Sequence, residues 1–199
     1  MPLEAHAQPR DLYDLDERGF APTAPTGYTW ARTGSRAVVS REDRNGRRIN
    51  VLGALACGPP ADLLWEQHTG KIDAVVLTEF VRARLGGVPG GAAGLDRPPA
   101  GWRWPRPCTV VLDNASAHVA RAFTGRRDEL AALGIDLFYL PPRSPELNPI
   151  ERVWRSAKYE DYPRRSHTSI DAIATAVDQA LTRQRSRIRG SAPHFVKTA

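Results

Sequence analysis

The sequence predicts a mixed α/β domain. Two observations carry this. Three strand-like runs come first with no helix between them, and two later apolar runs are each reached through a helical pattern. A meander followed by helix-connected strands implies antiparallel pairing early and parallel crossovers late. The 199-residue length suits one domain with a real core.

Each element has its own signal. Residues 11–16, DLYDLD, mix apolar and acidic positions and predict a strand ending at Asp16. Residues 27–39 predict a loop and a polar edge. Residues 48–56, RINVLGALA, are β-branched and apolar, and 61–70 form a second strand after a turn at CGPP. Val75, Val76, Phe80, Val81 and Leu85 recur at helical spacing, so 72–86 predicts an amphipathic helix stopped by Gly86. Half of residues 86–107 are Gly or Pro, eleven of 22, which predicts a loop. CTVVLDN (108–114) and IDLFYL (135–140) are apolar and read as buried strands. Residues 115–134 between them read as a helix with a break at Gly125. A helix is predicted from Pro149, and a last one over 169–185 places Ile170, Ile173, Val177, Ala180 and Leu181 on one face. Residues 1–10 are expected to be a disordered lead, 11–165 the main domain, and 166–199 a C-terminal helix and basic tail packed on or extending it.

Composition narrows the function. With 41% hydrophobic residues and five tryptophans the chain is a folded protein. The five histidines show no zinc spacing, and Cys57 and Cys108 no disulfide or metal pattern. There is neither an 18-residue apolar run nor a signal peptide, so no membrane partner and a cytoplasmic location are expected. The net charge of +6 is uneven. Residues 1–151 hold 18 basic and 18 acidic side chains, while 152–199 hold 10 and 4. A basic segment beside a neutral domain suits a polyanion.

The chemistry concentrates at carboxylates. Asp113 ends the apolar run TVVLD, and functional groups in open α/β sheets gather at the carboxyl ends of strands. Asp16 also ends a predicted strand, and Glu151 opens the helix after DLFYL. Three acids meeting in space repel one another unless cations neutralise them. All-oxygen donors select Mg²⁺ or Mn²⁺, and two such ions about 3.5–4 Å apart suit phosphodiester chemistry. Capping explains the same residues differently. Asn148 is a good N-cap, Pro149 fits the first helical position, and Glu151 falls where a capping box places its acid. Asp113 or Asn114 would equally cap a helix starting at Ala115.

VVLDNASAHVA followed by LPPRSPELNPIERVW closely resembles the catalytic core of mariner-like transposases, above all their bacterial insertion-sequence branch, the IS-six-thirty type. DLDERGFAPTAPTGYTWARTG is similar to that family's first catalytic block. The resemblance spans about residues 11–185. It implies a ribonuclease H-like (retroviral integrase-like) mixed sheet flanked by helices. It also implies a DDE triad of Asp16, Asp113 and Glu151 holding two Mg²⁺ or Mn²⁺ ions. Between Asp113 and Glu151 lie 37 residues, a little more than is usual in the family; FTGRRDE accounts for the excess. The implied function is metal-dependent cleavage and transfer of DNA strands during transposition of an insertion sequence. The alternatives are a decayed fragment that binds DNA or a partner without catalysis, and a ribonuclease H-like nuclease.

Glu17, Asn114, His118 and Asn148 are candidate supports of the triad. His118 would orient a phosphate or the attacking water, or make a structural hydrogen bond, the favoured role. Asp14 is the fallback first ligand, on the same face as Asp16 but deeper. Trp154 and Tyr139 read as core. Arg143, Arg152, Arg155, Arg183, Arg185, Arg187 and Arg189 are candidate DNA contacts. Expected partners are double-stranded DNA (transposon ends and target), a second copy of the chain, and a separate helix-turn-helix domain or upstream reading-frame product, because about ten residues before the first strand cannot read base edges. In a bacterium the protein would join the nucleoid when bound to DNA.

Overall fold

Alternation along β2 sends neighbouring side chains into two different cores. Leu52 and Ala54 face one and Val51 the other. The computed structural model describes residues 10–22, 32–35, 47–87, 106–163 and 167–191. Nearly all of the expected lead, most of the 27–39 edge, most of the Gly/Pro-rich loop and the end of the basic tail lie outside those residues.

Five strands form one sheet in the order β3-β2-β1-β4-β5. They are β1 (Asp11–Phe20), β2 (Ile49–Ala56), β3 (Asp62–His68), β4 (Cys108–Leu112) and β5 (Ile135–Tyr139). β1, β2 and β3 pair antiparallel, while β4 runs parallel to both β1 and β5. The meander and the parallel crossovers are as the element order predicts.

On one face lie α1 (Ala74–Phe80, prolonged by a wide turn Val81–Leu85), α2 (Arg121–Thr124) and α3 (Arg127–Ala132). They bury Leu77, Phe80, Phe123 and Leu130 against Leu15, Leu52, Val110 and Leu112. The other face carries α4 (Ile150–Ser156, prolonged by a wide turn Ala157–Asp161) and α5 (Ile170–Gly190). There Trp154, Ile150, Ile173, Val177 and Leu181 pack on Phe20, Ile49, Val51 and Leu63. α5 therefore shares a core with α4.

Several elements depart from expectation. β1 does not stop at Asp16, because its antiparallel pairing with β2 continues to Phe20 opposite Ile49. The helix expected over 115–134 is reduced to two short pieces. Asp113 Oδ1 accepts the Ala115 N–H at 2.8 Å and Asn114 Nδ2 donates to the Leu140 carbonyl at 2.7 Å, so local side-chain bonds replace helix as far as Ala120. β5 is an edge strand and not a buried one, with Phe138 56% exposed.

α5 runs five residues past its predicted end at 185, and ion pairs explain why. Asp62 on β3 accepts from both Arg185 and Arg189, each through two nitrogens at 2.7–2.8 Å. Buried Asp161 takes Arg187 in the same forked manner, and Arg183 donates to its backbone carbonyl. The structure thus gives these four arginines partners inside the fold. Burial opposes ionisation of Asp62, but the two guanidiniums outweigh it and hold the carboxyl far below its ordinary range. A depressed acid stabilises the fold above its unfolded pKa and loses that contribution as pH falls. Asp62→Asn should therefore cost about 1–2 kcal/mol at neutral pH, a modest value because the arginines are partly exposed and screened. The gap to wild type should close below about pH 4 in melts run across pH.

Candidate active site

The parallel register of β1 on β4 builds the site. Asp11 pairs with Cys108 and Asp14 with Val111. Carried two residues on, the same offset sets Asp16 beside Asp113, just past the end of β4 at Leu112. Asp16 is thus inside β1 yet at the carboxyl edge of the parallel half of the sheet.

Glu151 arrives from α4. Three residues on, the indole of Trp154 is fully buried, and its N–H donates to Asp16 Oδ2 at 3.0 Å. Gly53, opposite Asp16 on β2, makes the room. A Cβ there would lie 2.5 Å from the Trp154 ring. Positions i and i+3 share a helix face, so seating Trp154 turns Glu151 toward the same edge. Its Oε2 lies 3.7 Å from Arg18 Nη1.

The capping box does not form. The Asn148 N–H goes to the Pro145 carbonyl, and its side chain reaches away to the Leu15 carbonyl on β1. No side chain caps α4. Asn148 instead ties the helix start to β1, and the Glu151 carboxylate is left free for another task. The buried Asn148 Oδ1 has no donor.

Asp113 is held by His118, whose Nδ1 lies 2.7 Å from Oδ1. The imidazole is wholly buried, and its Nε2 is 2.9 Å from Glu17 Oε2, an ion pair too poorly aligned for a hydrogen bond. Burial disfavours the charged ring, but Asp113 and Glu17 outweigh it and push the pKa to about 9. The hydrogen bond to His118 in turn holds the Asp113 carboxyl below its usual range. His118 therefore links Glu17 on β1 to Asp113 just past β4, braced by the Tyr139 hydroxyl donating to its carbonyl. Asp14 is buried and takes the Cys57 thiol at 2.5 Å. Arg143, Arg152 and Arg155 are exposed, Arg143 at a left-handed φ of 61°.

Asp16 shows that the acids feel each other. Burial, then the charges of Glu151, Glu17 and Asp113, raise its pKa to about 7. An acid raised this far favours folding below its unfolded pKa near 4 and loses that contribution as pH climbs toward 7. Asp16→Asn should hence melt higher than wild type at pH 8, by an amount that shrinks to nothing near pH 4. An unchanged melting temperature at pH 8 contradicts this electrostatic reading.

Among the described residues, no three acids, histidines or cysteines stand within coordinating reach of one ion. Asp16 faces Trp154, Asp113 faces His118 and Glu151 faces Arg18. The donor set still fits a hard divalent cation. It offers three carboxylates whose repulsion an ion would relieve, and close by in the chain a buried Asn148 amide oxygen that still lacks a donor. Glu17 and His118 were named as candidates without their link, whereas Trp154 and Gly53 were missed as site features by sequence reasoning. The glycine inside a β-branched strand, a mark of close approach, was their one visible signal.

Residues 11–174 match the family model of the DDE superfamily endonucleases. The chain belongs to that superfamily.

The fold of this DDE domain is ribonuclease H-like and is shared with Mos1 structures. It resembles the Mos1 mariner paired end complex with Mn at TM-score 0.62, with 16% identity over 92% of this chain and 53% of that one. The complex with Mg gives 0.58, with 15% identity over 93% and 53%. The paired-end complex with the left transposon end gives 0.56, with 17% identity over 90% and 52%. Among curated proteins, the uncharacterized protein y4pE/y4sA of Sinorhizobium fredii is 36% identical over 66 residues, 33% of this chain and 44% of its own. The DDE domain spans about half the length of the Mos1 chains. Among the described residues, no helix is long and apolar enough to cross a membrane.

Proposed function

We propose that this DDE domain cuts and joins DNA strands during transposition of an insertion sequence. Asp16, Asp113 and Glu151 would hold two divalent cations, Mg²⁺ or Mn²⁺. The observation that carries this is the gathering of acids from β1, the end of β4 and α4 at one sheet edge, where burial and then the neighbouring acids push Asp16 to about 7. When bound, such ions supply Lewis acidity for attack of water on a phosphodiester and for the later attack of the freed 3′-hydroxyl on target DNA. The residues supply placement. Trp154 fixes one Asp16 oxygen, His118 fixes one Asp113 oxygen, and Asn148 anchors the helix that presents Glu151. Membership of an endonuclease superfamily and a fold shared with Mos1 transposase complexes support the reading. Double-stranded DNA, a second copy and a helix-turn-helix module from another chain or reading frame complete the proposed machinery. Nucleoid association would follow from DNA binding.

The test uses duplexes carrying the element's terminal repeats, with Mg²⁺ or Mn²⁺. Cleaved and joined strands are expected from wild type and none from Asp113→Asn. Cleavage by that variant at the wild-type rate removes the proposal. A binding readout stands apart from activity. Mg²⁺ should raise the melting temperature of wild type more than that of Asp16→Asn, since one ligand charge is gone.

A further inference from the structure

Two cations stand on the Glu151 side of the sheet, one on β1 and one in the turn after α4. Arg18 follows Asp16 by two residues on β1 and so points to the same face. Its Nη1 lies 3.7 Å from Glu151, and its Nε is buried with no hydrogen-bond partner. Arg48, which precedes β2, lies across the sheet from this pair, where a Cβ on Gly19 would point. Lys158 sits in the wide turn after α4, with Nζ 5.3 Å from the centre of the Phe20 ring.

These groups act on one another. Burial first, then the charges of Arg18 and Arg48, lower the Lys158 pKa to about 8, while Glu151 works the other way. Arg18 and Lys158 repel each other, and an anion between them would relieve that repulsion. Glu151 is the acid present, and the proposed chemistry commits it to metal.

We infer that Arg18 and Lys158 form a binding site for a backbone phosphate of the DNA strand that enters beside Glu151. The site rests on the proposed function for its choice of DNA. It also gives Arg18 two alternating partners: Glu151 without DNA, and the phosphate with it. The arginine fork suits phosphate oxygens, and the lysine adds a point charge on a stem fixed against Phe20. The last helix, richer in arginine, contributes less because Asp62 and Asp161 take its charges.

The test is fluorescence anisotropy of a labelled DNA duplex with a 3′ overhang, titrated with the whole chain in EDTA over a range of salt. Lys158→Gln and Arg18→Gln should each weaken binding by about five- to tenfold and flatten the log–log salt slope by about one. Lys158→Arg should bind as wild type does, and Glu151→Gln should bind more tightly because Arg18 is released. Melting curves check that each variant is folded. Affinity and slope unchanged in both glutamine variants overturn the site, as does an absence of DNA binding by wild type. Because no metal is present, failed cleavage with intact Lys158-dependent binding removes the catalytic proposal and leaves this one standing.

Discussion

Glu151→Gln should lower metal-dependent DNA cleavage by at least about a hundredfold, more than loss of an outer support to a metal ligand costs, and leave the fold intact. Both halves follow from the structure. Glu151 does not cap α4, since the Asn148 N–H is already taken by Pro145. Its ion pair with Arg18 is long and partly exposed. Thermal stability should therefore move by no more than about 0.5 kcal/mol. The glutamine keeps the shape and removes the charge that a cation needs. The substitution also takes away the largest charge acting on Asp16. Asp16 should then ionise at a lower pH, and the loss of stability between pH 4 and 7 should narrow. Oligonucleotide cleavage and pH-resolved melting test the two halves separately. A folded Glu151→Gln that still cleaves DNA at the wild-type rate rules out a metal-holding role.

Trp154→Ala should have the largest effect on stability, about 3–5 kcal/mol, the usual cost of emptying a buried aromatic site. Trp154 is fully buried in the core between α4, α5 and the sheet. Its second role is separable. Trp154→Phe keeps most of the ring volume and drops the N–H that holds Asp16. The expected loss of stability is about 1–2 kcal/mol, with cleavage reduced about 10–100-fold. Gly53→Ala approaches the same contact from the opposite strand. The added methyl meets the far edge of the indole, so the ring must move and Asp16 lose its donor. Denaturant melts alongside cleavage rates check all three. Wild-type cleavage by a folded Trp154→Phe would reduce the tryptophan to filler.

How legible the fold was depended on the range of the forces. Strands such as 48–56 and 108–112 were readable because β-branched runs specify them locally. The break in the helix after β4 was half visible, at Gly125. The loss of its first turns was not, because it depends on Asn114 meeting the Leu140 carbonyl, 26 residues away. In the same way, β5 reads as a buried strand until the sheet order puts it at an edge.

The sequence by itself determined the order of elements, the placing of Asp113 and Glu151 beside them, and the motifs that resemble mariner-like transposases. Local propensity and alternation suffice for these, since each depends on residues a few positions apart. Tertiary structure alone decided what those residues touch. The parallel register of β1 on β4 set Asp16 beside Asp113. Trp154, seated over Gly53, turned Glu151 to the same edge. Ion pairs from β3 and the end of α4 took up the arginines of α5. Arg18 and Lys158, far apart in the chain, were left together beside Glu151. Charges interact through space and not along the chain, so these partners existed only once the sheet and its helices had packed.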